Sequence, residues 1–165
     1  PSEDAPTFLE NAKHKAKFYG KISGLPTIAD DGGLEIDVLN GEPGVKSRRW
    51  INGLDASDED LINYTLKKLE GVLPDKRGAQ LRTVIALVLT NEKVYTSEGI
   101  VRGVIAEKPH PGRTAGFPFR SLLYLPEIGK FYYKDDLTLE ENIKYNHRLK
   151  ALQKFKRIIA KSLLE

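Results

Sequence analysis

The stretch from Gly24 to Asp37, GLPTIADDGGLEID, decides how this chain is read. An apolar segment runs into two adjacent aspartates, Asp30 and Asp31, then into two glycines. After them Leu34, Ile36 and Val38 alternate with Glu35 and Asp37, which predicts a half-exposed strand. PTIAD, before the aspartates, reads as a short buried strand. Two readings of the intervening DDGG stand side by side. In the first it is a tight turn, with Gly32 or Gly33 at positive φ. In the second, a carboxylate pair leaves the end of a strand, where open α/β sheets place their ligand sites. Adjacent carboxylates repel, and a divalent cation relieves the repulsion; Mg²⁺ needs only one or two of them beside substrate phosphates. One aspartate could instead be a general base toward a metal-activated water.

Outward from this stretch, helices and strands interleave. Phe8, Ala12, Ala16 and Tyr19 recur at helical spacing, predicting a helix from Thr7 to about Tyr19 that Gly20 stops. NGEPGVKSRRWING carries two Pro/Gly turn signals. Asp58 is placed to cap a helix running to about Leu69, with Leu61, Ile62, Leu66 and Leu69 on one face. The run from Gly78 to Lys108 is β-rich: a long apolar strand, a turn at Asn91-Glu92, then a strand or two. PHPGRTAGFPFRS reads as a loop. Thr138 with Glu141 forms a capping-box pattern that opens a long basic helix to the end of the chain. The expectation is one mixed α/β domain over residues 1–165.

Composition narrows the class. Apolar residues are 40% and charged residues 30%, an ordinary globular mix. A net charge of +3 is too mild to argue for nucleic acid. With no cysteine there is no disulfide framework and no thiolate metal site. No run approaches the roughly 18 apolar residues of a membrane span, and no signal peptide is visible, so a cytoplasmic protein is expected.

Four groups carry candidate chemistry, each with a plainer reading beside it. Glu3, Asp4 and Glu10 form an acidic group around the first helix, with Glu10 and His14 at i, i+4; the plainer reading is a solvated face. GVKSRRW packs Lys46, Arg48 and Arg49 beside the lone tryptophan, and arginine's fork suits phosphates. Lys150, Lys154, Lys156, Arg157 and Lys161 read as the solvated face of the last helix, whereas His147-Arg148 would make a purine-edge reader. Phe117 and Phe119 flank a proline, placed either to stack on a base or to plug the core.

The order of these segments is more specific than any one of them. TFLENAKHKAKF, LPTIADDGGLEIDVLNGEPGVKSRRW, SEGIVRGVIAEKP, GFPFRSLLYLPEIGK and EENIKYNHRLKAL together resemble the inosine triphosphate pyrophosphatase family over nearly the whole chain. ADDGGL…LNGEPGV.S.R is close to that family's ADDSGL…L.G.PGV.SAR. The resemblance implies an elongated mixed sheet flanked by helices, with two lobes and a nucleotide cleft, usually in a homodimer. It implies Mg²⁺-dependent hydrolysis of ITP, dITP and XTP to monophosphate and pyrophosphate. By position, Glu3 and Asp31 match metal-site acids, with Asp30 beside them and Asp31 also the general base. Glu10 matches the glutamate of the FxEN motif, and Lys15 the lysine at the phosphate end. Ser47 and Arg49 match the SAR stretch; Phe117 and Phe119 match the aromatics of GFGYDP; His147 and Arg148 match the SHR base readers.

This chain also departs from the family pattern. The family opens with a strand, a T.N..K phosphate loop, a helix and another strand, whereas this sequence starts at PSEDAPTF. Arg120 stands where the family has aspartate, Ser121 where it has proline, Asn142 at a lysine and Asn146 at a serine. The expectation is therefore an enzyme with a shifted base site. The alternative is a non-catalytic nucleotide-binding or scaffold descendant. Nucleic-acid binding through the last helix would need a continuous basic stripe with exposed aromatics, and ranks below both.

Overall fold

The computed structural model describes residues 1–162. The side chain of Lys161 and the end of the expected last helix, residues 163–165, lie outside that description. The first helix, α1, spans Phe8–Ser23 and buries Phe8, Asn11, Ala12 and Ala16. The Thr7 hydroxyl caps it by accepting the Glu10 N–H. It passes through Gly20, where a stop was expected, because Gly24 supplies the left-handed cap at φ 68° and returns its N–H to the Gly20 carbonyl.

Strand β1 spans Thr27–Ile36 without interruption. The expected break at DDGG is absent, and neither Gly32 nor Gly33 has positive φ. The pair is there for space. A Cβ on Gly32 would lie 2.3 Å from the Arg82 carbonyl oxygen, and one on Gly33 would lie 2.1 Å from Ser47 Oγ. The chain turns only afterwards, through a 3₁₀ turn at Asp37–Leu39 and Asn40 at φ 53°.

Helix α2 spans Asp58–Lys68. Its cap is Ser57, whose hydroxyl accepts the Asp60 N–H, and not Asp58, which is the first helical residue. Strands β2 (Gly78–Val88) and β3 (Val94–Ile105) follow, then the short β4 (Leu123–Leu125) and β5 (Lys130–Phe131). The five strands form one sheet in sequence order. Gln80 bonds Glu35 and Gly78 lies beside Asp37, while Gly32 faces Thr83, so β2 runs antiparallel to β1. Arg82 with Glu98 and Arg102 with Gln80 set the antiparallel pairing of β2 and β3. β3–β4 and β4–β5 are antiparallel as well.

The expected long basic helix is three short ones: α3 (Leu139–Tyr145), α4 (His147–Gln153) and α5 (Lys156–Ser162). The capping box of Thr138 and Glu141 does open α3. The first break falls at Asn146, which takes an extended conformation at ψ 95°. It lets the next residue dock, since the His147 carbonyl oxygen lies 1.9 Å from where a Cβ of Gly99 would stand. Lys150, Lys154, Lys156 and Arg157 are exposed.

The chain divides into two compact units, and β1, β2 and β3 each run from one into the other. One holds Pro1–Gly32, Arg82–Ile100 and the chain from His147. Within it Ile85 and Leu87 of β2 pack on Ala151 and Phe155. The other holds Gly33–Leu81 and Val101–Asn146, with a core of Leu34, Ile36, Leu61, Ile62, Leu122 and Leu125 among others. Among the described residues no helix is long and apolar enough to cross a membrane.

Candidate active site

In the unit that carries α1, three elements bring charged and polar groups to Asp31. Asn11 and Lys15 lie one turn apart on α1, Asp31 lies on β1, and Glu3 comes from the segment before α1. Lys15 Nζ stands 2.7 Å from Glu3 Oε1 and 3.5 Å from Asp31 Oδ1. The Asn11 amide donates to Asp31 Oδ2 at 3.0 Å. Asn11 is itself held, since the Ala5 N–H donates to its Oδ1 at 3.0 Å. Burial pushes the Asp31 carboxyl above its ordinary value; the Asn11 hydrogen bond and the Lys15 charge pull the other way without cancelling it.

Asp30 does not join this group. Successive side chains of a strand point to opposite faces, so the two aspartates separate. Asp30 instead accepts a hydrogen bond from Arg148, whose guanidinium burial makes easier to deprotonate than usual. Glu10 is exposed, and its Oε2 accepts the Thr7 hydroxyl at 2.8 Å, so it supports the helix cap. His147 is buried at the start of α4.

The other unit holds the remaining candidates. Ser47 lies in the 3₁₀ turn Gly44–Arg49; its hydroxyl accepts the Leu34 N–H at 3.0 Å and donates to the Gly44 carbonyl at 2.7 Å. That use of the hydroxyl is structural: it fixes the turn against β1. Arg49 closes the same turn, half-buried. Phe117 is 40% exposed while Phe119 is 7% exposed and part of the core, so the two aromatics divide between display and packing. The Arg120 guanidinium lies 4.6 Å from the centre of the Phe117 ring and 5.4 Å from that of Tyr132. The Asn142 amide donates to the Leu137 and Thr138 carbonyls at 3.0 and 3.1 Å, which fastens α3.

Asn11 is the residue that sequence reasoning passed over. Its signal was a polar side chain on the buried stripe of α1, four residues before Lys15. Among the described residues no three carboxylate or histidine side chains converge as a ready metal cage. Glu3 and Asp31 converge on one ammonium, however, and a pair of carboxylates suffices for a cation that keeps water and phosphate ligands. This arrangement can hold a cation, take up a proton and counter phosphate charge.

The model of the Ham1 family matches residues 1–158. A dITP/XTP pyrophosphatase of Thermus thermophilus is 40% identical over 153 residues, covering 93% of this chain and 71% of that protein. One of a Thermoanaerobacter species is 43% identical over 164 residues, 99% of this chain and 79% of the relative. Among solved structures, a Ham1 protein from Coxiella burnetii superposes with a TM-score of 0.83 at 34% identity, covering 98% of this chain and 80% of that one.

Proposed function

This chain belongs to the Ham1 family, and from that premise we propose that it is a Mg²⁺-dependent nucleoside triphosphate pyrophosphatase acting on ITP, dITP and XTP. The products are the nucleoside monophosphate and pyrophosphate. The observation that carries the reading is the convergence of Glu3, Lys15 and Asn11 on Asp31. The buried Asn11 amide fixes one carboxylate oxygen of Asp31 and leaves the other facing the Lys15 ammonium.

The residues divide the work by their chemistry. Asp31 Oδ2 is committed to Asn11, so Oδ1, only loosely engaged by Lys15, accepts the proton of the attacking water. The water oxygen bonds to the α-phosphorus, the bond to the bridging oxygen breaks, and pyrophosphate leaves with that electron pair. Lys15 stabilises the charge gathering on the leaving group. Glu3 and Asp31 would hold Mg²⁺, which neutralises triphosphate charge when bound. Phe117 offers a stacking face for the base. Arg148 and His147 supply donors that favour a 6-keto oxygen over adenine's amino group, which would leave those donors unpaired. The cytoplasmic setting expected from the sequence and the homodimer that the resemblance implies belong to the same proposal.

The test is pyrophosphate release with Mg²⁺ from ITP, XTP, dITP, GTP, ATP and dUTP, with Asp31→Asn as control. Release from the keto-purines, lost in the variant, is expected. Equal release by the variant, or none from any nucleotide, overturns the reading.

A further inference from the structure

Asp58 stands at the start of α2, where Ser57 and Asp60 already make the cap between themselves. Its carboxylate is therefore available for tertiary contacts, and it makes two. Oδ1 accepts Arg48 Nη1 at 2.5 Å, and Oδ2 accepts the Gly116 N–H at 2.7 Å. Arg48 sits between Ser47 and Arg49 in the turn Gly44–Arg49. Gly116, at φ 79°, immediately precedes Phe117. The loop continues from there under its own hydrogen bonds, Phe117 N–H to the Thr114 carbonyl at 2.8 Å and Arg120 N–H to the Phe117 carbonyl at 3.2 Å. One carboxylate thus joins two segments far apart in sequence.

We propose that Asp58 is a positioning residue for nucleotide binding: it fastens the loop bearing Phe117 and Arg120 to the turn bearing Ser47 and Arg49. The inference rests on the reading above, in which Phe117 meets the nucleobase. A charge-assisted bond to a backbone N–H and one to a guanidinium are both stronger than neutral ones, which suits a clamp on irregular backbone. Burial alone would make the Asp58 carboxyl harder to ionise, but the Arg48 and Gly116 hydrogen bonds outweigh it, so the group sits below its ordinary value. The neighbouring Glu59 reinforces the same loop through Arg113, with Nε to Oε1 at 2.5 Å. Asp58 reaches both segments.

The test pairs ITP hydrolysis with amide hydrogen exchange in the wild type, Asp58→Ala and Asp58→Asn. Asp58→Ala is expected to raise KM for ITP about tenfold with kcat within about threefold, and to speed exchange across residues 114–120 and 45–49. Asp58→Asn keeps an acceptor for Gly116 but loses the charge, and should fall between; it decides the matter if the alanine variant does not fold. Unchanged KM and exchange, or a loss confined to kcat, overturns the proposal. If the wild type hydrolyses no nucleotide, the functional reading fails by itself. Exchange then decides the clamp: faster exchange in the variant upholds it and unchanged exchange overturns it.

Discussion

The Asn11 side chain, 1% exposed, aims its amide at Asp31 Oδ2 from 3.0 Å. Its other end is held by the Ala5 N–H, so the amide has one orientation only. This contact distinguishes Asp31 from its neighbour Asp30, which the strand turns toward Arg148. Two adjacent and chemically identical residues thereby acquire different surroundings.

Asn11→Ala tests that distinction. Removing an orienting partner typically costs 10- to 100-fold in activity, and we expect a loss of about that size in kcat with KM little changed. Folding stability should fall by about 1–3 kcal/mol, because the Ala5 N–H loses its acceptor. Steady-state ITP hydrolysis and urea unfolding measure the two effects. Full activity in the variant would remove Asn11 from the mechanism.

Asp31 also leaves a mark on the pH dependence of stability. Its carboxyl titrates above the ordinary value of 3.8 in the folded protein because burial disfavours the charged form. A raised carboxyl contributes stability that is complete below the unfolded value and is lost as pH rises through the folded one. The Tm of the wild type relative to Asp31→Asn should therefore fall as pH climbs from about 3.8 through the raised value, then level off. A difference that grows with pH would contradict the burial argument.

Two glycines should respond in opposite directions to the same substitution. Gly33→Ala drives a Cβ to 2.1 Å from Ser47 Oγ and 2.6 Å from the Gly44 carbonyl, so it should destabilise by about 1–3 kcal/mol. Gly20→Ala places its Cβ 3.5 Å from Thr27 Oγ1, an ordinary contact inside a helix, and should stabilise by about 0.5–1 kcal/mol. Urea midpoints of the two variants give the answer, and a shared sign would refute the spatial account of DDGG.

These glycines also show where the sequence stops being legible. Periodicity and capping signals located α1, α2 and the β2–β3 pair, since those elements are set by residues close in the chain. DDGG misled because a turn and a close backbone approach both ask for a missing Cβ, and only the position of Ser47 and Arg82 tells them apart. Read as one strand, the stretch would have sent Asp30 and Asp31 to opposite faces at once. The last helix breaks because His147 docks on Gly99, a contact no local pattern announces. The residues gathered at Asp31 were visible as types, but the choice of Asn11 over Glu10 as its partner needed the third dimension.

The segment GFPFRS separates a buried ring from a partly exposed one within three residues. Phe119 is buried in the core with Leu122 and Leu123, so Phe119→Ala should cost about 3–5 kcal/mol and lower Tm sharply. Phe117 is 40% exposed, with the Arg120 guanidinium 4.6 Å from its ring centre. An exposed cation–π contact is worth only about 0.5–1 kcal/mol, and the ring is only partly covered, so Phe117→Ala should lower Tm much less than Phe119→Ala. If its ring stacks on the base, the same substitution raises KM for ITP by about 5- to 150-fold, since base–aromatic stacking carries about 1–3 kcal/mol. Thermal unfolding and KM, measured on both variants, place each aromatic independently. A Phe117→Ala enzyme with wild-type KM would leave that ring no part in recognition, and the base would have to be held by other groups.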